Sequence, residues 1–485
     1  MDETDAYDYV IVGAGIGGCL LASHLPDGAT VLLLEAGPDA RTDPRVTTPS
    51  RWPELLGSEL DWAYETVPQS RLDGRRLTWP RGRALGGSAA INAMVYIEGA
   101  STDYDAWTAY GGAGWSGAAL RPWFPEATGA GVAALADPHP LAKAFVAAAQ
   151  KYGLAANPDF NAGDQTGVGL YRVYQRAGTR WNAACDLSEA VTVWTGTEVT
   201  RVVIHTGRAT AVEVVVRGET RTVHARQEIL LCAGTVGSAQ LLLLSGVGPA
   251  DHLREVGIPV TADRPGVGAN LHDHVQVSVS FPVRTAVPVD PASNLGEAGG
   301  FVRTRPGLPA PDLQLSFAPM IDLNSAGSFG AGFTIGPAVT RPVSRGRLRL
   351  ATADPLEPPL LDPDYLAEEA DRRVLAHGVE LAFELAACEP LLSHRRDRVV
   401  RPPTGRAELD AFCRRRAETQ FHPVGTCRLG RPDDPHAVVD SDLRVYGVDG
   451  LAVVDASVMP TIPTGNIAAA VHAIALKAAA DRRNA

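Results

Sequence analysis

Short apolar runs and glycine-rich turns organise both ends of this chain. Residues 9–12 are an apolar run, GAGIGG follows, an amphipathic stretch reaches Leu25, and a second apolar run ends at Glu35. That order predicts strand, tight turn, helix, strand. Over residues 37–79 the periodicity dissolves into Pro, Arg and Asp punctuation, which predicts an extended surface excursion closed by a second glycine-rich stretch, PRGRALGGSAAIN. Residues 141–152 predict a helix, and the β-branched runs TRVVIH, AVEVVV and EILLCAG within 191–232 predict a meander. Residues 237–244 have the apolar density of a buried helix, stopped by SGVGP. Between residues 283 and 420, DLQLSFAP and GRLRLA predict strands, and 371–385 and 406–418 predict helices. LAVVDAS then predicts a strand ending in Asp455, and residues 466–481 an Ala-rich helix. No internal repeat is visible, and the two ends read as one domain.

At 485 residues the chain has room for about three domain-sized units. With 45% apolar and 20% charged residues it is expected to be a soluble globular protein with a large core. Lys and Arg total 44 against 55 Asp and Glu, a net charge of −11 with no basic run, so neither nucleic acid nor an anionic membrane is an expected partner. No apolar run approaches the length of a bilayer span, and the acidic start MDETDAYDYV lacks the form of an export signal, which predicts a cytoplasmic location. The six cysteines, Cys19, Cys185, Cys232, Cys388, Cys413 and Cys427, form no CxxC pair, so reduced thiols are expected and no zinc site.

Gly13, Gly15 and Gly18 form GxGxxG directly after one predicted strand, with Glu35 at the end of the next. The first glycine permits the tight turn, the second lets backbone amides approach a pyrophosphate, and the third permits close helix packing. Glu35 is then placed to accept from ribose hydroxyls. FAD and NAD enzymes share this unit. Asp455, at the end of a strand near the C-terminus, favours FAD, since flavoproteins place an acid beside the pyrophosphate and ribityl chain; its simpler reading is a cap on the following turn.

The ordered motifs VIVGAGIGG with LLLEAG, PRGRALGGSAAIN, GTVGSAQLLLLSGVGP, NLHDH, FHPVGTCRLG and GVDGLAVVDASVMPTIPTGN resemble the glucose-methanol-choline (GMC) family of FAD-dependent oxidoreductases along nearly the whole chain. The resemblance implies an α/β (α+β overall) protein in which a Rossmann-like FAD domain is interleaved with a substrate domain built on an antiparallel sheet with helices. The segments implied are 1–140, 186–282 and 421–485 for the first, and 141–185 and 283–420 for the second. Ala89 stands where the family often has a second serine, Ala239 where proline is usual, and Ile467, Ala468 and Ala470 where Thr, Asn and Pro are frequent. By the resemblance the cofactor runs past Ile16 and Ala36, then Arg83, Gly87 and Ser88, then Asn92, Ala93, Met94 and Val95, with Val199, Ala456 and Ile467 completing its surroundings. It is expected to be held non-covalently: Ile91 occupies the stretch in which histidyl-flavin members carry His, and no histidine lies between His24 and His139.

Oxidising an alcohol by hydride transfer needs a base for the hydroxyl proton, and histidine titrates in the useful range. His422 in FHPVGT matches the family's base, and Asn466 in PTGN its second active-site position, where the amide donates to the alkoxide oxygen. A bare reading makes Asn466 a helix cap. His472 reads as a satisfied core histidine. His272 and His274 flank Asp273 and would share a face on an extended strand, but no third ligand is spaced for a metal, and Asn270 and Asp273 read as stabilising residues. The expected activity is oxidation of a small-molecule alcohol, with oxygen or another acceptor taking the electrons, by a monomer or homodimer. The competing expectations are a non-redox, hydroxynitrile-lyase-like FAD protein and a nicotinamide-dependent dehydrogenase. The alcohol itself is not named by any motif.

Overall fold

The computed structural model describes residues 6–321, 331–396 and 401–484. Two large sheets organise it. The first has the strand order Thr192–Trp194, Val31–Leu34, Ala6–Val12, Glu219–Leu231, Arg208–Val216, Thr197–His205, with Leu451–Val453 also paired to Glu219–Leu231. Pairings among the opening strands, Thr192–Trp194, Leu451–Val453 and the end of Glu219–Leu231 are parallel. The antiparallel meander of residues 197–231 continues the sheet. Parallel strands are covered on both faces and so read as unbroken apolar runs; Val10, Ile11, Leu32 and Leu230 are indeed fully buried. The helix Ile16–His24 packs on the C-terminal helix Ala468–Arg483, whose alanines allow close approach and leave it buried along most of its length. The two chain ends therefore share one unit.

The second sheet is antiparallel, in the order Ala417–Thr419, Val275–Val277, Gly332–Val339, Leu313–Ala318, Ala298–Val302, Gly167–Leu170, with Val279–Pro282 also on Gly332–Val339. The helix Glu369–Leu385 covers one face. There Phe281 packs on Phe333 and Phe383, and Phe317 on Phe333. The strands of residues 275–282, assigned above to the first domain, pair here instead, because VQVSVSF continues in register along the strand Gly332–Val339.

Two expectations are corrected. The helix foreseen over 406–418 stops at Arg416, since Ala417–Thr419 is drawn into the sheet beside Val275–Val277. Residues 37–79 are no surface excursion: Trp52, Leu55, Leu60, Leu72 and Trp79 are at most 4% exposed. The segment is irregular because isolated anchors hold it. The Trp52 indole donates to Asn294 O at 2.9 Å and that of Trp79 to Tyr365 Oη at 3.0 Å. No helix among the described residues is long and apolar enough to cross a membrane.

Candidate active site

A continuous cavity of about 430 Å³ is walled by residues of both large sheets and of the 37–99 region. Gly13 sits at φ +97°, and a Cβ there would lie 2.6 Å from Cys232 O. Gly15 caps the helix Ile16–His24 without any side-chain partner, so the first-turn amides of that helix face the cavity free to donate. At Gly87, also left-handed, a Cβ would meet Gly15 Cα at 2.7 Å, so the two glycine-rich stretches pass in backbone contact. Gly18 does not line the cavity; a Cβ there would lie 1.9 Å from Gly13 O, which is the packing role expected of the third glycine.

Glu35 lines the wall and accepts from Ala14 N at 3.0 Å and Gly37 N at 2.9 Å, stapling the glycine turn to the second strand. Burial pushes its carboxyl up to about 7. Asp455 combines its two readings. It caps the turn Ala456–Val458 through Ser457 N at 2.8 Å, and its other oxygen accepts from Gly234 N and Ser238 Oγ at the cavity wall. Ile16, Ala36, Ser88, Asn92, Ala93, Met94, Val95, Val199, Ala456 and Ile467 line the same cavity. Arg83 does not. Its guanidinium stacks on Trp62 at 4.9 Å and faces Glu198 at 3.8 Å, outside the wall that those two residues form. Arg180 was missed by sequence reading: fully enclosed, it donates to Asn92 Oδ1 at 2.8 Å and Ala89 O at 3.1 Å, holding that turn in place.

His422 and Asn466 meet at the far end, with Asn466 Nδ2 3.1 Å from His422 Nε2. The backbone of His422 donates to Asp273 Oδ1 at 2.8 Å, and Asp273 also accepts from Thr419 Oγ1 at 2.5 Å and from Tyr365 Oη. Phe421 is left-handed at φ +68°, and Arg81 donates to its carbonyl at 2.8 Å. Together these turn the imidazole into the cavity.

The hydrogen bonds also select the imidazole tautomer. His274 Nε2 lies 3.1 Å from Thr340 O, and a carbonyl only accepts, so His274 carries its proton on Nε2. Its bare Nδ1, 3.0 Å from His422 Nδ1, must then accept a proton from that atom. His422 is thereby held as the Nδ1–H form, with the Nε2 lone pair toward Asn466 and the cavity. Burial, then His274 and Arg81, hold the His422 pKa well below its ordinary value, so the ring is neutral. The rings of His272 and His274 part: His272 Nδ1 binds Asn270 O at 2.6 Å and its Nε2 accepts from Ile462 N at 3.0 Å. No group of three metal-ligating side chains exists among the described residues. His472 is buried and hydrogen-bonded to Thr128 Oγ1 at 3.1 Å, away from the main cavity.

Comparison with known proteins gives the family. Residues 7–276 match the N-terminal and 342–475 the C-terminal GMC oxidoreductase family. Human mitochondrial choline dehydrogenase is 36% identical, over 99% of this chain and 90% of that protein. The alcohol dehydrogenase [acceptor] of Pseudomonas putida is 37% identical, over 98% of this chain and 95% of that protein. The crystal structure of pyridoxine 4-oxidase from Mesorbium loti superposes with a TM-score of 0.92 at 34% identity, covering 99% of both chains. Family matches over both halves of the chain, and relatives 36–37% identical over almost its whole length, identify the chain as a member of the GMC oxidoreductase family.

Proposed function

We propose that the protein is a flavoenzyme that oxidises an alcohol to an aldehyde or ketone, with His422 as the base and FAD held non-covalently. The residues present suit FAD: three glycines open a lane for a pyrophosphate, the uncapped helix start supplies donors, and the cavity runs from there to His422 without interruption. Gly13, Gly15, Ile16 and Ser88 would hold the phosphates, Glu35 and Ala36 the ribose, and Asn92, Ala93 and Met94 the ring system. Ile91 in place of a histidine supports non-covalent attachment. A bound FAD supplies acceptance of a hydride from the carbinol carbon, with oxygen or another acceptor taking the electrons afterwards.

The protein's own part is proton chemistry. His422 Nε2 and Asn466 Nδ2 converge within 3.1 Å, so one hydroxyl oxygen entering between them donates to the lone pair and accepts from the amide. As the O–H bond breaks, the proton passes to Nε2. The amide then meets the growing negative charge. His274 keeps Nδ1 protonated, and so keeps Nε2 the basic atom. The convergence of the tautomer-locked His422 lone pair with the Asn466 amide is the observation that carries this reading.

The test is anaerobic bleaching of the yellow protein by a panel of primary, secondary and aromatic alcohols. His422→Ala is expected to bleach about 10²–10⁴-fold more slowly while keeping its FAD, and acid precipitation to release all the colour. Bleaching of the variant at the parent rate would remove His422 from the mechanism. A colourless parent, or a yellow one that no alcohol bleaches, would favour the nicotinamide or lyase alternative.

A further inference from the structure

The antiparallel sheet turns one face to the covering helix and its phenylalanines. On the opposite face a run of small residues carries a few polar side chains, with Phe301 beside Gln314 and the Tyr171 ring over Gly299. Gln276 and Gln314 both stand opposite Ala338, Ser316 stands opposite Gly336 and Gly299, and Gly299 opposite Gly169. Residues directly opposite, or two apart on a strand, share a face. The polar heads lean over the gaps: a Cβ at Gly336 would lie 2.4 Å from Ser316 Oγ and 3.3 Å from Gln276 Oε1. A third amide arrives from Gln420, two residues before His422, with Nε2 donating to Gln314 Oε1 at 3.1 Å while Gln314 Nε2 donates to Tyr171 Oη at 3.0 Å.

All three glutamines line the cavity and are 9% exposed or less. Both amide atoms of Gln276, and Oε1 of Gln420, have no partner among the described residues. Buried amides are ordinarily satisfied, and leaving one unpaired is costly, so these atoms await a group that both donates and accepts. Gln276 follows His274 by two residues, on the same side of an extended segment, which sets it beside the His422 ring that His274 contacts. The acidic residues of the cavity wall are Glu35, Glu198, Glu357 and Asp455, none on this sheet.

We propose that Gln276, Gln314 and Gln420 form the recognition end of the substrate site and select an alcohol bearing an uncharged group with both donor and acceptor atoms, such as a carboxamide, in preference to a quaternary ammonium. This rests on the alcohol-oxidising reading above. Two probes lacking a carbinol, benzamide and toluene, are titrated into the FAD-loaded protein and followed by perturbation of the flavin absorbance. Their oxidisable counterparts, 3-(hydroxymethyl)benzamide and benzyl alcohol, are compared with choline in anaerobic bleaching. Benzamide is expected to bind about ten- to a hundredfold more tightly than toluene, with the same preference in bleaching and choline poorest. Gln276→Leu and Gln420→Met should each bring the ratio to within about threefold of one, with FAD content retained, because each removes hydrogen-bonding atoms that only the amide probe uses.

Equal binding of the two probes to the parent, an unchanged preference in both variants, preference for choline, or loss of FAD from both variants would overturn the proposal. Discrimination between benzamide and toluene without bleaching by any alcohol would sink the oxidation reading alone. Bleaching without discrimination would sink the recognition end alone.

Discussion

The two walls of the cavity are built by opposite means. On the parallel-sheet side, glycines remove side chains so that the backbone itself is the binding surface, and its amides and a helix start do the work. On the antiparallel-sheet side, glycines and Ala338 again remove side chains, but there they clear room for three glutamines and Ser316. On the reading proposed above, the backbone wall would serve a ligand that never changes. A wall made of a few polar side chains over small residues would be retuned by single substitutions. His422 and Asn466 stand where the two walls meet.

Gly18→Ala attacks the packing directly behind the backbone wall and is expected to have the largest effect. Its Cβ would lie 1.9 Å from Gly13 O, with no flexible side chain to give way. A loss of about 3 kcal/mol or more of stability and a largely colourless protein are expected, measured by thermal melting and the flavin-to-protein absorbance ratio. A yellow Gly18→Ala protein with the parent's melting temperature would erase the contrast between the walls.

Asn466→Ala tests the seam. Its amide meets an oxygen that becomes negative only as the proton leaves, so kcat and kcat/KM should fall together by about 10²–10³-fold, with FAD retained. A rise in KM alone would make Asn466 a binding contact and remove it from the proton chemistry.

The smallest expected effect sharpens the role of burial. A histidine pushed below its ordinary value stays neutral as pH falls through 6.5, and it charges only further down. kcat/KM for an alcohol should therefore change by less than about twofold between about pH 6 and 8. An acid limb near 6.5 that disappears in His422→Ala would show the ring to be solvated and ordinary.

Legibility followed the same division. Gly13, Gly15, Gly18 and Glu35 could be read because their geometry is set within one strand–turn–helix–strand unit. Asp455, His422 and Asn466 were proposed through short motifs of the family pattern, and the fold brings all three to the cavity wall. Residues 37–79 were misread because their anchors, Trp52 and Trp79, find partners 242 and 286 residues away and so leave no period. Arg83 was placed on the cofactor by its motif, yet Trp62 and Glu198 hold it outside the wall. His274 was weighed as half of a histidine pair, whereas its partner is His422, 148 residues on.

The sequence by itself determined the opening strand–turn–helix–strand unit and the C-terminal helix, where the backbone must be bare, and which residue types could carry a proton or face an alkoxide. These follow from apolar period and from the sterics of glycine, both local. Only the tertiary structure decided which nitrogen of His422 bears the lone pair and which side chains gather on the antiparallel-sheet wall of the cavity. The tautomer depends on a chain of three groups, Thr340, His274 and His422, from three separate segments. The glutamine face depends on strand register, and a slip of one residue would have turned Gln276 or Gln314 into the phenylalanine core.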